Sequence, residues 1–288
     1  MQLTDTCITC LLDKKVNGYP KEAAPEQVAQ YKARVRQAIL ENRTLSSPEM
    51  HVVVAAIYRD IFGPEPDFTD IKRRFNALML ELEPAMNAEV DRAQDPLKRA
   101  VQYAMVGNYI DFSALENVDE GELKERLAAS GEMTVAEDML AALRSEIMAA
   151  GRLAYFTDNC GEIVADKALL RVMRRMNPAL EVTVIVRGAP VVNDATLEDA
   201  AQVGMAEVAH RVMGNGTEMP GIVLQHISAQ SLAAVEAADV LIAKGQANYE
   251  GLCGCGLNIF YIFMCKCDMF TNRFGVPRFS GLLTREKK

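Results

Sequence analysis

Apolar residues recur at helical spacing through the first half of the chain and in short unbroken runs through the second. Val28, Tyr31, Val35 and Ile39 mark one face of a helix that closes near Asn42. Ser46-Ser47-Pro48-Glu49 then combines a cap, a first-turn proline and a capping-box glutamate, ahead of Val52, Ala55, Ala56 and Ile57. Gly63-Pro64-Glu65-Pro66 breaks that helix. Phe75, Leu78 and Leu82 carry a third, and Leu97, Val101, Ala104 and Met105 a fourth. Thr134 with Glu137 reads as another capping box, before Met139, Leu140, Leu143 and Ile147. Gly121 to Gly131 reads as charged surface.

After Gly151 the period changes. Strand-like runs appear at Leu153–Phe156, Val182–Val186, Asp239–Ala243 and Asn258–Met264, separated by helical or loop stretches. Strands alternating with helices predict an α/β fold with a mostly parallel sheet flanked by helices and joined by right-handed crossovers. The expected organisation is an N-terminal all-helical domain or cap over residues 1–150 and an α/β domain over residues 151–288. A length of 288 residues fits two domains of roughly 150 residues each.

Three of the predicted strands run directly into polar clusters. The first is Thr157-Asp158-Asn159-Cys160-Gly161-Glu162, opening a helix marked by Ile163, Leu169, Leu170, Met173 and Met176. The second is Arg187-Gly188-Ala189-Pro190-Val191-Val192-Asn193-Asp194-Ala195-Thr196. The third is Lys244-Gly245-Gln246-Ala247-Asn248-Tyr249-Glu250. Any single cluster reads equally well as a turn or a helix cap. Repeated at three strand ends, the clusters point to the crevice where ligands bind open parallel sheets. Two carboxylates, an amide and a lysine there suit a hard divalent cation and a phosphate.

Composition narrows the partners. Half the residues are hydrophobic, enough for a sizeable core, and the net charge is −8. That charge argues against nucleic acid or an anionic membrane, both of which reward clustered Lys and Arg. No apolar run approaches the ~20 residues of a membrane span, and the start of the chain lacks a signal pattern, so a cytoplasmic location is expected. The oligomeric state is not legible.

The clusters DNCGE, RGAPVVNDAT and KGQANYE resemble the motifs of the metal-dependent damage-control phosphatases, formerly a family of unknown function. The N-terminal Cys7-Ile8-Thr9-Cys10 resembles the CxxC of that family's prokaryotic branch. Gly107-Asn108-Tyr109-Ile110-Asp111 and Gly214-Asn215-Gly216-Thr217 with Pro220-Gly221 match further family patterns, so the resemblance runs from residue 7 to Lys266. It implies that Asp158, Asn159 and Asp194 hold a divalent metal, with manganese, cobalt, nickel or magnesium usable. It also implies that Lys244 and Lys266 face the substrate phosphate. One branch of the family carries an Arg-Thr-x-Lys signature where this chain reads Ala243-Lys244-Gly245-Gln246, so that branch's substrates do not transfer.

Glu162, one turn from Asp158, is expected either to orient a water or to cap the helix. Asn108 and Asp111 are expected to line the cleft from the cap side. Arg187, Asn193, Gly245, Asn248 and Glu250 complete the candidate cleft. Metal-free, Asp158 and Asp194 are expected to face each other as like charges. The implied activity is hydrolysis of phosphate esters of small metabolites, damaged ones included, such as sugar phosphates.

The alternative rests on the cysteines. Seven are present, with Cys7 and Cys10 spaced CxxC and Cys253/Cys255 and Cys265/Cys267 spaced CxC. CxxC plus one CxC pair would supply the four ligands of a second metal, giving a non-catalytic metal- or redox-sensing protein. Cys265 and Cys267 read equally well as the end of a buried strand. His51, His210 and His226 share no metal-ligand spacing and read as surface or satisfied core. Neither a dinucleotide fingerprint nor a GxxxxGK[ST] loop is present.

Overall fold

The structure, a computed structural model, describes residues 1–112 and 118–287. Its N-terminal helices are α1 (Asp5–Lys14), α2 (Pro25–Glu41) and α3 (Ser47–Phe62), which share a small core of Ile8, Val16, Tyr31, Val35, Ile39, Met50 and Val54. The capping box at Ser46 and Glu49 forms as expected, with the Ser46 N–H donating to the Glu49 carboxylate at 2.8 Å. Helices α4 (Thr69–Arg92), α5 (Pro96–Gly107), α6 (Glu120–Ala128) and α7 (Glu137–Ala149) follow. Gly121 to Gly131, expected to be charged surface, includes most of α6, which buries Leu123 and Leu127. At α7 the expected box is absent: the helix begins two residues later, with Ala136 in the cap position and no side-chain cap.

The sheet comprises β1 (Arg152–Phe156), β2 (Glu181–Val186), β3 (Arg211–Gly214), β4 (Val240–Lys244), β5 (Ile259–Met264) and β6 (Gly281–Glu286), in the order β3-β2-β1-β4-β5-β6. All pairs are parallel except β5–β6. Between the strands lie α8 (Glu162–Met176), α9 (Leu197–Gln202), α10 (Ala229–Glu236), α11 (Gly245–Leu252) and α12 (Asp268–Phe274). Four strands fall where the apolar runs place them. The edge strands β3 and β6 are shorter or only partly buried, so neither has an unbroken apolar run to mark it.

Strand alternation sorts the core into two layers. Tyr155, Val184, Ile242 and Ile262 face the α4, α5, α7 and α8 side, while Phe156, Ile185, Ala243 and Phe263 face α11 and α12. Helices α4, α5 and α7 therefore belong to the core of the sheet, and a division at residue 150 cuts through it. Only α1–α3 form a separate layer, touching α11 and α12 at the carboxyl ends of the strands. No helix among the described residues is long and apolar enough to cross a membrane.

Candidate active site

Strand order reverses between β1 and β4, and the crevice at such a switch point is the usual ligand site of an open α/β sheet. The segment leaving β1 turns sharply there. Gly161, with φ of +66°, is the N-cap of α8 and makes no side-chain cap bond. Its N–H donates instead to Asn76 Oδ1 at 2.6 Å. Asp158 and Asn159 lie ahead of that cap, so neither spends its side chain on the helix.

Asn159 is oriented by its amide nitrogen, which donates to Asp158 Oδ2 at 2.9 Å and Glu162 Oε2 at 3.0 Å. Asn108, the C-cap of α5, donates to the same two carboxylates at 3.0 Å and 2.9 Å, and its own oxygen accepts from the Met264 N–H. Glu162 is fully buried at the centre of this network. Its Oε2 also accepts the Asn159 N–H at 3.2 Å, a cap-like contact just ahead of the helix, while the carboxylate itself is closed to the cleft.

The second motif folds back on the first through a bridge between Asn159 and Asp194 and a bond from the Ala195 N–H to the Asp158 carbonyl. Arg187, 1% exposed, lies between the two aspartates: Nε donates to Asp194 Oδ2 at 2.5 Å and Nη2 to Asp158 Oδ1 at 3.3 Å. The like charges expected to oppose each other are thus separated by a guanidinium. Burial still pushes Asp158 and Asp194 above the usual carboxylate range, with Glu162 adding to the effect at Asp158 and Arg187 opposing it at both. Asn193 is interior. Its side chain donates to the Ile110 carbonyl and accepts from the Phe112 N–H, holding the segment that carries Asp111.

At the third motif, Gly245 starts α11 with φ of +80°, and a β-carbon there would lie 1.9 Å from Asp158 Oδ2. Only glycine lets the helix approach the carboxylate so closely. Asn248 spans the third motif and the first, donating to the Lys244 and Thr157 carbonyls and accepting from Arg187 Nη1.

The two lysines expected at the phosphate are enclosed. Lys244 is completely buried, donating to Glu162 at 2.7 Å, Asp166 at 2.5 Å and the Ala104 carbonyl at 3.0 Å. Burial alone would lower its pKa, but Asp166 and Glu162 outweigh that and hold it charged. The reason is strand parity: Lys244 shares the face of Val240 and Ile242, which points into the α5–α8 layer. Lys266, two residues beyond Met264 on the corresponding face of β5, is 2% exposed and donates to the Asn108 carbonyl and Asp111.

What lies open is a cleft of ≈ 930 Å³ between the strand ends and the α1–α3 layer. Asp111, Asp158, Asn159, Asp194 and Glu250 line it from below. Burial pushes the Glu250 carboxyl up to about 7, against a Ser47 hydrogen bond that lowers it. The opposite wall holds residues that sequence patterns did not single out for the site, among them Lys15 and His51. Cys7 and Cys10 are also there, on α1. Among the described residues no three His, Cys, Asp or Glu side chains are grouped to hold a metal, so the CxxC does not join a CxC pair in a four-ligand site. His226 pairs with Glu49, and His210 accepts from the Val182 N–H, as satisfied histidines should.

The donor set of Asp158, Asn159 and Asp194 fits a divalent cation on its own chemistry. With the Asn159 nitrogen committed to two carboxylates, its carbonyl oxygen is turned away from them. Among the described residues no hydrogen bond reaches Asn159 Oδ1 or Asp194 Oδ1. Two hard oxygen donors, one amide and one carboxylate, are therefore spare beside the Asp158 carboxylate, on the wall of a cleft.

Known proteins resemble the chain along nearly its whole length. The model of the Damage-control phosphatase ARMT1-like domain matches residues 3–282. A damage-control phosphatase of Archaeoglobus fulgidus is 28% identical over 285 residues, 96% of each chain. A damage-control phosphatase of Pyrococcus horikoshii is 33% identical over 195 residues, covering 65% of this chain and 64% of the relative. The crystal structure of a DUF89 family protein from Pyrococcus horikoshii shares the fold, with a TM-score of 0.82 over the whole of both chains at 23% identity.

Proposed function

The chain belongs to the damage-control phosphatase family of the ARMT1-like domain, and from that premise we propose that it is a divalent-metal-dependent phosphatase of small phosphorylated metabolites, sugar phosphates among them. The observation that carries the metal dependence is the pair of spare oxygens, Asn159 Oδ1 and Asp194 Oδ1, beside Asp158 in the cleft. A divalent cation held there would supply Lewis-acid polarisation of a phosphoryl oxygen and a template for the incoming water.

The protein's own residues prepare that position. Arg187 fixes one oxygen of each aspartate, and Asn108 with Asn159 fixes the other oxygen of Asp158. Held this way, the donors need little reorganisation, which is where much of the benefit of such sites arises. Lys244 and Lys266 act one layer below by holding Glu162 and Asp111 in place. The family match favours this enzyme reading over the sensor reading built on the cysteines.

The test is phosphate release over a panel of metabolite esters after chelation, repeated with manganese, cobalt, nickel and magnesium. It is paired with metal titration of Asp194→Asn. A neutral amide in place of the carboxylate is expected to weaken metal binding by roughly 100-fold. It also removes one of the two anionic charges beside buried Arg187, so the metal-free variant is expected to lose about 1–3 kcal/mol of stability. Unchanged metal affinity would remove Asp194 from the ligand set. Release that survives chelation would end the metal-dependent reading.

A further inference from the structure

The cations of the active site divide unequally. Arg187, Lys244 and Lys266 all donate to acidic side chains of the site and are at most 2% exposed. A substrate whose phosphate carries negative charge would enter a cleft lined below by Asp111, Asp158, Asp194 and Glu250. One partly buried cation on the wall above is placed differently. Lys15 is the C-cap of α1, and its carbonyl accepts from the Tyr31 hydroxyl at 3.0 Å, which fixes its backbone to α2. Among the described residues no carboxylate forms a salt bridge with its ammonium. Its hydrogen-bonding neighbour is His51 Nδ1 at 3.5 Å. Burial pushes His51 down to about 3, with Lys15 and Arg59 contributing, so the imidazole is neutral and does not satisfy the lysine's charge. Burial lowers Lys15 too, while the charges of Glu65 and Asp111 oppose that shift, Asp111 lying on the opposite side of the same cleft.

We infer that Lys15, oriented by His51, is an anchor for phosphate oxygens on the cap side of the cleft, facing the aspartates across it. This deepens the phosphatase reading and rests on it for the identity of the anion. It gives the α1–α3 layer a chemical role beyond covering the site. An ammonium that is partly dehydrated and lacks a carboxylate partner gains more from an arriving anion than one already paired. The neutral imidazole accepts one ammonium proton and leaves the others free to turn toward the cleft.

The probe is inorganic phosphate, titrated calorimetrically into the full chain with and without manganese, for wild type, Lys15→Met and Lys15→Arg. Methionine keeps most of the aliphatic stem and removes the charge. Lys15→Met is expected to weaken phosphate binding about tenfold and raise KM for a phosphate ester by a similar factor, the scale of one charge-assisted hydrogen bond. Manganese affinity should stay within about twofold, because the change lies across the cleft from the ligands. Lys15→Arg should recover most of the affinity. Phosphate binding as tight in Lys15→Met as in wild type would overturn the anchor, as would a loss that Lys15→Arg does not restore. If wild type hydrolyses no ester yet binds phosphate in a Lys15-dependent way, the anchor stands and the phosphatase reading falls. If hydrolysis is metal-dependent but indifferent to Lys15, the reverse holds.

Discussion

Two sets of polar side chains surround Asp158, and they differ in what their lysine charges face. Beneath it, fully buried Lys244, Glu162 and Asp166 form a closed cluster, extended by the Tyr155 hydroxyl, which donates to Asp166 at 2.7 Å. Above it, across the cleft, Lys15 and His51 lie partly exposed with no acidic salt-bridge partner among the described residues. The lower set can hold a geometry but has no open position for a ligand. The upper set can receive an anion but holds nothing else in place. A lysine beside a motif is therefore better assigned by whether its charge is already satisfied than by its distance along the chain from the metal ligands.

Substitution of the two lysines should separate these regions most widely. Lys244→Met strands two buried carboxylates and is expected to destabilise the fold by about 3–5 kcal/mol, read as a fall in thermal midpoint. Lys15→Met, by contrast, should leave the midpoint nearly unmoved. Equal midpoints for the two variants would erase the distinction between holding and binding.

Gly245→Ala probes the boundary between the regions, where α11 abuts Asp158. The added methyl meets both a carboxylate oxygen at 1.9 Å and a φ of +80° that alanine resists. A loss of roughly 2–4 kcal/mol is expected, together with weaker metal binding as Asp158 is displaced. Metal affinity equal to wild type would show that the close approach is incidental to the site.

The smallest effect concerns Glu250 on the cleft floor. Its folded value of about 7 lies above the ordinary 4.5, so the folded chain prefers the protonated form. The stability linked to it is fully present below the unfolded value and is lost as pH rises through about 7. Glu250→Gln should flatten the decline of the unfolding midpoint between about pH 5 and pH 8. An identical slope in the variant would mean that the carboxyl is better solvated than its surroundings indicate.

Much of the site was legible because its parts sit at fixed offsets from strands that announce themselves. Leu153 to Phe156 and Val240 to Ala243 are apolar without a break, Val182 to Val186 is interrupted only by Thr183, and the residues directly after them had to fall at the sheet's carboxyl edge. The inward aim of Lys244 was also present in the pattern, since it keeps step with Val240 and Ile242 at a period of two. Strand parity, had it been followed one residue past the apolar run, would have set Lys244 beneath the cleft. The edge strands left a fainter trace because they are only partly buried: Arg211 on β3 is exposed, and five of the six residues of β6 are half-buried.

The sequence by itself determined the α/β class and the strand-end motifs, because each depends on residues close together in the chain. Tertiary structure alone decided the rest. It inserted Arg187 between two aspartates, gathered Glu162, Asp166 and Lys244 into a closed cluster, joined α4–α7 to the core of the sheet, and brought Lys15 and His51 over the cleft. Those outcomes depend on which long-range surfaces pack together, and local periodicity carries no record of which charge meets which partner.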